Sequence, residues 1–434
     1  MVVMKRAVLL ISLVVFILSC DRYPDPSIKS IKDYSFSFQT NSGNRVLSGE
    51  WVSDSIIFRA VNNLTPYKDQ VKVIFEVVKG GGEITNTSGY TDTLGYVYTG
   101  WKLGTKSFDQ ILRASSYDMS GTFLASTDLI AYGFRTDEWD ELSDAYEYGI
   151  TDMASDTINK VTLAIMNGRI FRQGENYYTW NESIKPINEN VTAIEIDSNQ
   201  VFYVMTWNGN LYKSINQGES WIFCSRAYSQ INFYARLKIS NDNYIWVSSY
   251  NYPIKYSKDG GAKWNDVTED VSKHSLSDVF RLKDGSLMLH GSDCCYMFRS
   301  FDDGITWTRV TTPGYSLKLY VDENDAIYIV TQEGGMAFYK STDYGLNYSF
   351  VYRVNPQWNS SLENTFNKYG GFYYVFIQGY GILKSKDLTN YEIYWQNQDL
   401  GNLFIDHSGV LIGKNWSWQF PYPRIIYYRH NSGK

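Results

Sequence analysis

The 434-residue sequence predicts an all-β protein in two parts, a small β-sandwich followed by a larger body of repeated four-stranded units. Three observations carry that expectation. Aromatic residues make up 17% of the chain, led by 37 Tyr, and with abundant Val, Ile, Gly and Asn they favour strands and tight turns over helices. Apolar and polar residues alternate between turn clusters from Ile31 to about Phe134, the period-two signature of half-buried strands. Beyond residue 135 one short string recurs at a nearly constant interval, which marks a repeat architecture.

The N-terminus comes first in the chain. Lys5 and Arg6 precede an apolar run, Ala7 to Leu18, too short for the roughly 20 helical residues that cross a bilayer. The run ends in Ile17-Leu18-Ser19-Cys20, which resembles the lipobox of bacterial lipoproteins. That resemblance implies a signal peptide over 1–20, a lipid on Cys20, and a polar tether over 21–30. The expected location is the cell envelope, with the chain lipid-anchored at the outer membrane. Cys224, Cys294 and Cys295 show no metal-ligand spacing and are expected as small core residues, their disulfide state left open.

Residues 31–134 form the first body. SIIFRAV (Ser55–Val61) and VKVIFEVV (Val71–Val78) alternate as sandwich strands do. The stretch Phe75–Thr105 resembles bacterial Ig-like domains of the invasin and intimin type, through Thr91, Gly95, Val97, Trp101, Leu103 and Gly104. In that family such domains are spacers or stalks, so the resemblance implies no active site here.

The second body covers 135–434. SINQGESW (Ser214–Trp221), SKDGGAKW (Ser257–Trp264), SFDDGITW (Ser300–Trp307), STDYGLNY (Ser341–Tyr348) and the decayed SKDLTNYE (Ser385–Glu392) begin 43, 43, 41 and 44 residues apart. They resemble the Asp-box, or BNR, motif S-x-D-x-G-x-x-W of sialidases, sortilin-type receptors and photosystem assembly factors. Asn216 replaces the Asp in the first and Tyr348 the Trp in the fourth. Ser214, Asn216, Ser257, Asp259, Ser300, Asp302, Ser341 and Asp343 suit hydrogen bonds within a tight turn. Gly218, Gly261, Gly304 and Gly345 suit its positive φ, and Trp221, Trp264, Trp307 and Tyr348 suit packing beneath it. The motif is therefore expected to be structural.

Stepping 42 residues back reaches RIFRQGENYYTW (Arg169–Trp180), and 44 forward reaches Arg429, so seven units are counted. The last lacks a fourth strand, which DEWDEL (Asp137–Leu142) is placed to supply. The resemblance thus implies a seven-bladed β-propeller, with six or eight blades as alternatives.

Box turns would occupy one face of such a ring, and the loops joining strands two and three the other. Those loops offer Trp207, Tyr250, Tyr252, Asp293, Glu333, Tyr380 and the run holding Trp416, Trp418 and Tyr422; blade links add Tyr228, His274, Tyr315 and Trp358. Trp and Tyr stack on sugar rings or anchor protein interfaces, and the same rings equally suit the filling of blade interfaces. The candidate ligand-binding set is Trp207, Tyr250, Tyr252, Trp358, Tyr380, Trp416, Trp418 and Tyr422.

No Ser–His–Asp, H-E-x-x-H or phosphate-loop pattern stands in the sequence, and no catalytic, metal or cofactor site is expected. The F-R-I-P motif of sialidases is absent. A net charge of −6 provides no basic stripe for nucleic acid. The reading is a noncatalytic exported lipoprotein whose propeller binds a glycan or protein partner, the Ig-like domain acting as spacer. A glycoside hydrolase of the Asp-box group, with Asp293 and Glu333 as its acids, and an envelope assembly factor are the alternatives.

Overall fold

A computed structural model describes residues 34–62, 70–106, 108–135, 139–142, 149–174, 179–183, 189–229, 236–249, 252–272, 274, 276–291, 295–332, 335–355, 365–397, 400–415 and 426–429. Cys20, Tyr250, Asp293, Cys294, Glu333, Trp358, Trp416, Trp418 and Tyr422 lie outside the described residues. Apart from one helical turn, Glu269–Ser272, the regular structure is strand.

Residues 34–134 form a two-sheet sandwich. Tyr34–Phe38, Ile56–Asn62 and Tyr96–Thr99 make a three-stranded sheet. The facing sheet runs in the order Asn44–Leu47, Phe123–Phe134, Phe108–Tyr117, Lys72–Lys79 and Ser88–Tyr90. Alternation works as the sequence implies: Ile56, Phe58, Val73, Phe75, Leu112 and Ala114 point inward and are buried. Burying such side chains contributes roughly 1.5–3 kcal/mol each for the larger ones. The residues that carry the Ig-like resemblance are structural. Trp101 is fully buried, Thr91 Oγ1 accepts the Val71 N–H at 3.0 Å, and a Cβ on Gly104 would lie 2.2 Å from the Gly80 carbonyl oxygen.

Seven four-stranded antiparallel sheets follow among the described residues. Sheets 1 to 6 take their strands in chain order from 150–182, 191–226, 236–266, 276–311, 315–354 and 365–396. Sheet 7 combines Leu400–Ile405, Leu411–Asn415 and Ile426–Arg429 with Asp140–Leu142, the strand that follows the sandwich. Each sheet shares an apolar cluster with the next. Sheet 7 shares one with sheet 1, through Val410, Ile412, Ile150, Ala164, Met166 and Trp180. The sheets therefore stand in a closed ring, with their first strands at the axis.

Trp139 precedes the closing strand and stacks on Trp395 of sheet 6 at 4.1 Å between ring centres. The sandwich rests on the ring at the sheet 7–sheet 1 junction, where Phe108 and Phe134 pack against the shared cluster. Phe108 holds φ at 76°, a conformation that costs a bulky residue on the order of 1–3 kcal/mol.

Candidate functional site

The first strand of each sheet starts on one face of the ring and ends at the turn into the second strand on the opposite face. The box turns, which join strands three and four, share that second face, here named the turn face. In four boxes the geometry repeats. Gly218, Gly261, Gly304 and Gly345 donate their N–H to the hydroxyls of Ser214, Ser257, Ser300 and Ser341 at 2.8–2.9 Å. Each hydroxyl donates in turn to Asn216, Asp259, Asp302 or Asp343. Hydrogen bonds hold the carboxylates among them below their usual pKa range: the Lys263 N–H lowers Asp259, and the Thr306 hydroxyl and N–H bring Asp302 down to about 2. In the decayed fifth box Leu388 stands at φ 56°, at the position that Gln217, Gly260, Asp303 and Tyr344 hold at φ 60–68° in the others, and its N–H reaches Ser385 Oγ at 2.9 Å.

These turns also lock one sheet to the previous one. A Cβ on Gly218 would lie 2.7 Å from Leu163 of sheet 1, and one on Gly261 2.2 Å from Leu211 of sheet 2. Trp221, Trp264, Trp307 and Tyr348 pack partly buried against the same inter-sheet clusters. The box residues are thus occupied in building the ring.

A second repeated turn, which the sequence reading did not single out, joins strands one and two. At Asp197, Asp322 and Asp406 the carboxylate accepts N–H groups two and four residues on. Neighbouring turns then bond to one another: Ser198 N–H to Asn243, Arg281 N–H to Asn241 and Lys283 N–H to Asp325. Its signal was present in strings such as DSNQV and DENDA at the unit spacing.

The opposite, loop face holds the described members of the aromatic set. Trp207 is half-buried, and its N–H donates to the Asn190 carbonyl at 2.7 Å. Tyr252 packs into the sheet 2–sheet 3 cluster, 5.4 Å from the buried ring of Tyr228. The Tyr228 hydroxyl donates to the carbonyls of Val247 and Pro253 at 3.0 and 2.6 Å. Tyr380 packs against the sheet 5–sheet 6 cluster, and burial raises its pKa. Tyr228, Tyr252 and Tyr380 therefore fill inter-sheet space. His274 stands 3.3 Å from the Tyr296 hydroxyl, and Tyr315 is 37% exposed. Cys224 and Cys295 are free thiols: Cys224, half-buried on an outer strand, packs against the sheet 2–sheet 3 cluster, whereas Cys295 is exposed beside a strand end, which corrects the expectation of a core cysteine there.

The axis carries charge that the sequence reading missed. Lys318 Nζ lies 2.6 Å from Asp278 Oδ1, and Ser277 Oγ donates to the same carboxylate. Lys238 pairs with Glu195, and Asp152 Oδ2 accepts the Ile194 N–H at 3.0 Å. Burial works against the Asp278 carboxylate, yet Lys318 and His290 hold its pKa far below the usual range. Burial pushes Asp152 up to about 6, with Lys238 opposing. Burial works against the Lys238 ammonium on sheet 3, yet Glu195 and Asp152 on sheets 2 and 1 hold its pKa above the usual range. Groups on non-adjacent sheets thus feel one another across the axis.

Arg236 shares a face of its strand with Lys238, two residues nearer the loop face. It is half-buried and, among the described residues, its guanidinium has no ion pair or hydrogen bond. Lone charges inside apolar strings, RLKI and SLKL, were the available signal.

The chain's fold has solved counterparts. Virginiamycin B lyase from Staphylococcus aureus matches at 12% identity and TM-score 0.50, over 68% of this chain and 99% of that one. The catalytically inactive variant of that lyase with quinupristin matches at 12% identity and TM-score 0.51, over 68% and 100%. YCF48 bound to D1 peptide matches at 13% identity and TM-score 0.48, over 68% and 97%. No family model and no curated protein sequence matches the chain. At such identities the likeness to the lyase shows the fold alone: all-β, with β-propeller proteins as its structural neighbours.

Proposed function

We propose that this chain is a lipid-anchored binding protein: a seven-bladed Asp-box propeller that takes a glycan or protein ligand on its loop face, carried by an Ig-like domain. The observation that supports this reading most is where the sandwich sits. Phe108 and Phe134 of the sandwich pack on the cluster that holds Val410, in the turn-face turn of sheet 7, and Arg45 lies over the Phe134 ring. The closing strand Asp140–Leu142 also enters as an outer, fourth strand, and fourth strands begin at the turn face. The anchor side of the molecule is then the turn face, and the loop face is directed away from the membrane.

On that loop face Trp207 supplies a half-buried aromatic ring, and Arg236 supplies a guanidinium with no partner among the described residues. Arg236 suits a carboxylate, which its planar fork can bind through two hydrogen bonds. Lys238 and Lys318 are engaged by Glu195 and Asp278 and hold the axis in shape. Trp416, Trp418 and Tyr422 belong to the same reading as further contacts. Cys20 is its lipidation site.

A glycan-array screen of the soluble chain from Asp21, with a hydrolysis assay on every hit, tests the reading. Binding without turnover, weakened at least tenfold by Trp207→Ala or Arg236→Gln, supports it. Turnover of a bound glycan overturns the noncatalytic reading, and silence on the array removes the glycan and leaves a protein ligand. Retention of Cys20→Ala in the membrane fraction, at the level of the unaltered chain, would overturn the anchor.

A further inference from the structure

We infer that the sandwich is a clamp on the ring's seam, whose release loosens the junction between the last and first sheets. The seam differs from the other junctions in how it is made. At the junctions among sheets 1 to 6 all four strands of one sheet precede the next sheet in the chain, whereas in sheet 7 only Asp140–Leu142 precedes sheet 1 and the other three strands come from the far end of the chain. Polar contacts cross it near the turn face. Gln173 Nε2 donates to Asp406 Oδ2 at 2.9 Å, Ser155 Oγ donates to the Ile405 carbonyl at 3.0 Å, and His407 N–H donates to Thr162 Oγ1 at 3.0 Å. His407 Nδ1 also lies 2.9 Å from that hydroxyl.

The sandwich lies over this line. Phe108, whose register partner is Gly133, and the adjoining Phe134 stand at the ends of strands Phe108–Tyr117 and Phe123–Phe134 and pack on an apolar cluster that both seam sheets share. Arg45 stacks on Phe134 at 5.3 Å and reaches the electrostatic surroundings of His407. Phe108 keeps a left-handed backbone conformation that a phenylalanine seldom adopts, and it packs on the ring. A tether that only spaced two bodies would need no such contact. The chain then runs from the sandwich through Trp139, stacked on Trp395, into the strand that completes sheet 7. The same segment thus grips sheets 6, 7 and 1. Charged and titratable groups facing His407 are Asp406, Lys160, Arg45 and Asp156.

Hydrogen exchange on the intact chain in mild denaturant tests the clamp without any substitution. Cooperative units open together and share one free energy of opening. The sandwich edge Asn44–Leu47 and the seam strands Val161–Met166 and Leu411–Asn415 are expected to open as one unit, while Ile245–Ser249 and Leu287–Gly291 stay protected. Independent opening of the sandwich, with the seam still protected, overturns the inference. In the variant carrying Phe108→Ala and Phe134→Ala, seam exchange is expected to quicken at least tenfold with the far sheets unchanged. Unchanged seam exchange in that variant overturns the inference as well. A failure of the binding reading would leave both results untouched.

Discussion

Lys318 and Asp278 meet at 2.6 Å across the boundary between sheets 4 and 5, both nearly buried and both drawn from first strands. A buried pair of this kind contributes little over an apolar pair of equal volume, but breaking it strands a charge. Lys318→Met is expected to destabilise the protein by about 3–5 kcal/mol in urea titrations. Adding Asp278→Asn should restore most of that loss. A double variant no better than the single one would show that the lysine acts through packing.

Asp152 supplies a pH dependence with a definite sign. Its pKa is raised from 3.8 to about 6 by burial, so the folded state holds the proton more tightly than the unfolded chain. Its contribution is complete below pH 4, lost as pH rises toward about 6, and constant above. The shift corresponds to an upper bound of roughly 3 kcal/mol. Asp152→Asn should flatten stability between pH 4 and 6; an identical pH profile would place the charge elsewhere.

The box turns should be sensitive in proportion to what they bury. Ser257→Ala removes the acceptor for the buried Gly261 N–H, and an unsatisfied buried donor costs about 1–3 kcal/mol. Gly261→Ala should cost at least as much, because φ is +86° and the new methyl would meet Leu211 at 2.2 Å. Chemical denaturation of the two variants ranks them.

Trp139 and Trp395 should be energetically coupled. Replacing each singly and both together by Ala is expected to give a coupling of about 1 kcal/mol, the scale of stacked aromatic pairs. Strict additivity would mean that the stack does not hold the closing strand.

The fold was legible where local chemistry repeats. Serines at a spacing of 41–44 residues marked the third strands, and DEWDEL was placed in the sheet where Asp140–Leu142 is found. Tyr252 and Tyr380 looked like loop-face contacts because ring fillers and ligand platforms use the same residue types; only packing separates them. The axial charges were hidden for the opposite reason. Asp152, Glu195, Lys238, Asp278 and Lys318 sit one to a strand, each reading as a solvent-facing residue in an alternating string. They become a cluster only when five sheets converge, a relationship that no window of sequence contains. The sandwich looked like a free spacer because nothing in Phe108 or Phe134 announces a second partner outside their own strands.

The pairing of Asp140 with Tyr428 joins positions 288 residues apart, and that separation governs how the ring comes into being. Loop-closure entropy must be overcome before such contacts return anything, so distant pairings form slowly. Sheets 1 to 6 are each local and can form as they are made, while sheet 7 waits for Ile426–Arg429. Until then Trp139 and the strand after it have only half of their partners, and an open sheet edge faces solvent. A refolding experiment should therefore resolve a fast phase that gathers most strand signal and a slow one reported by the Trp139–Trp395 stack. The slow phase is the interval in which this chain is most exposed to strand exchange with its neighbours.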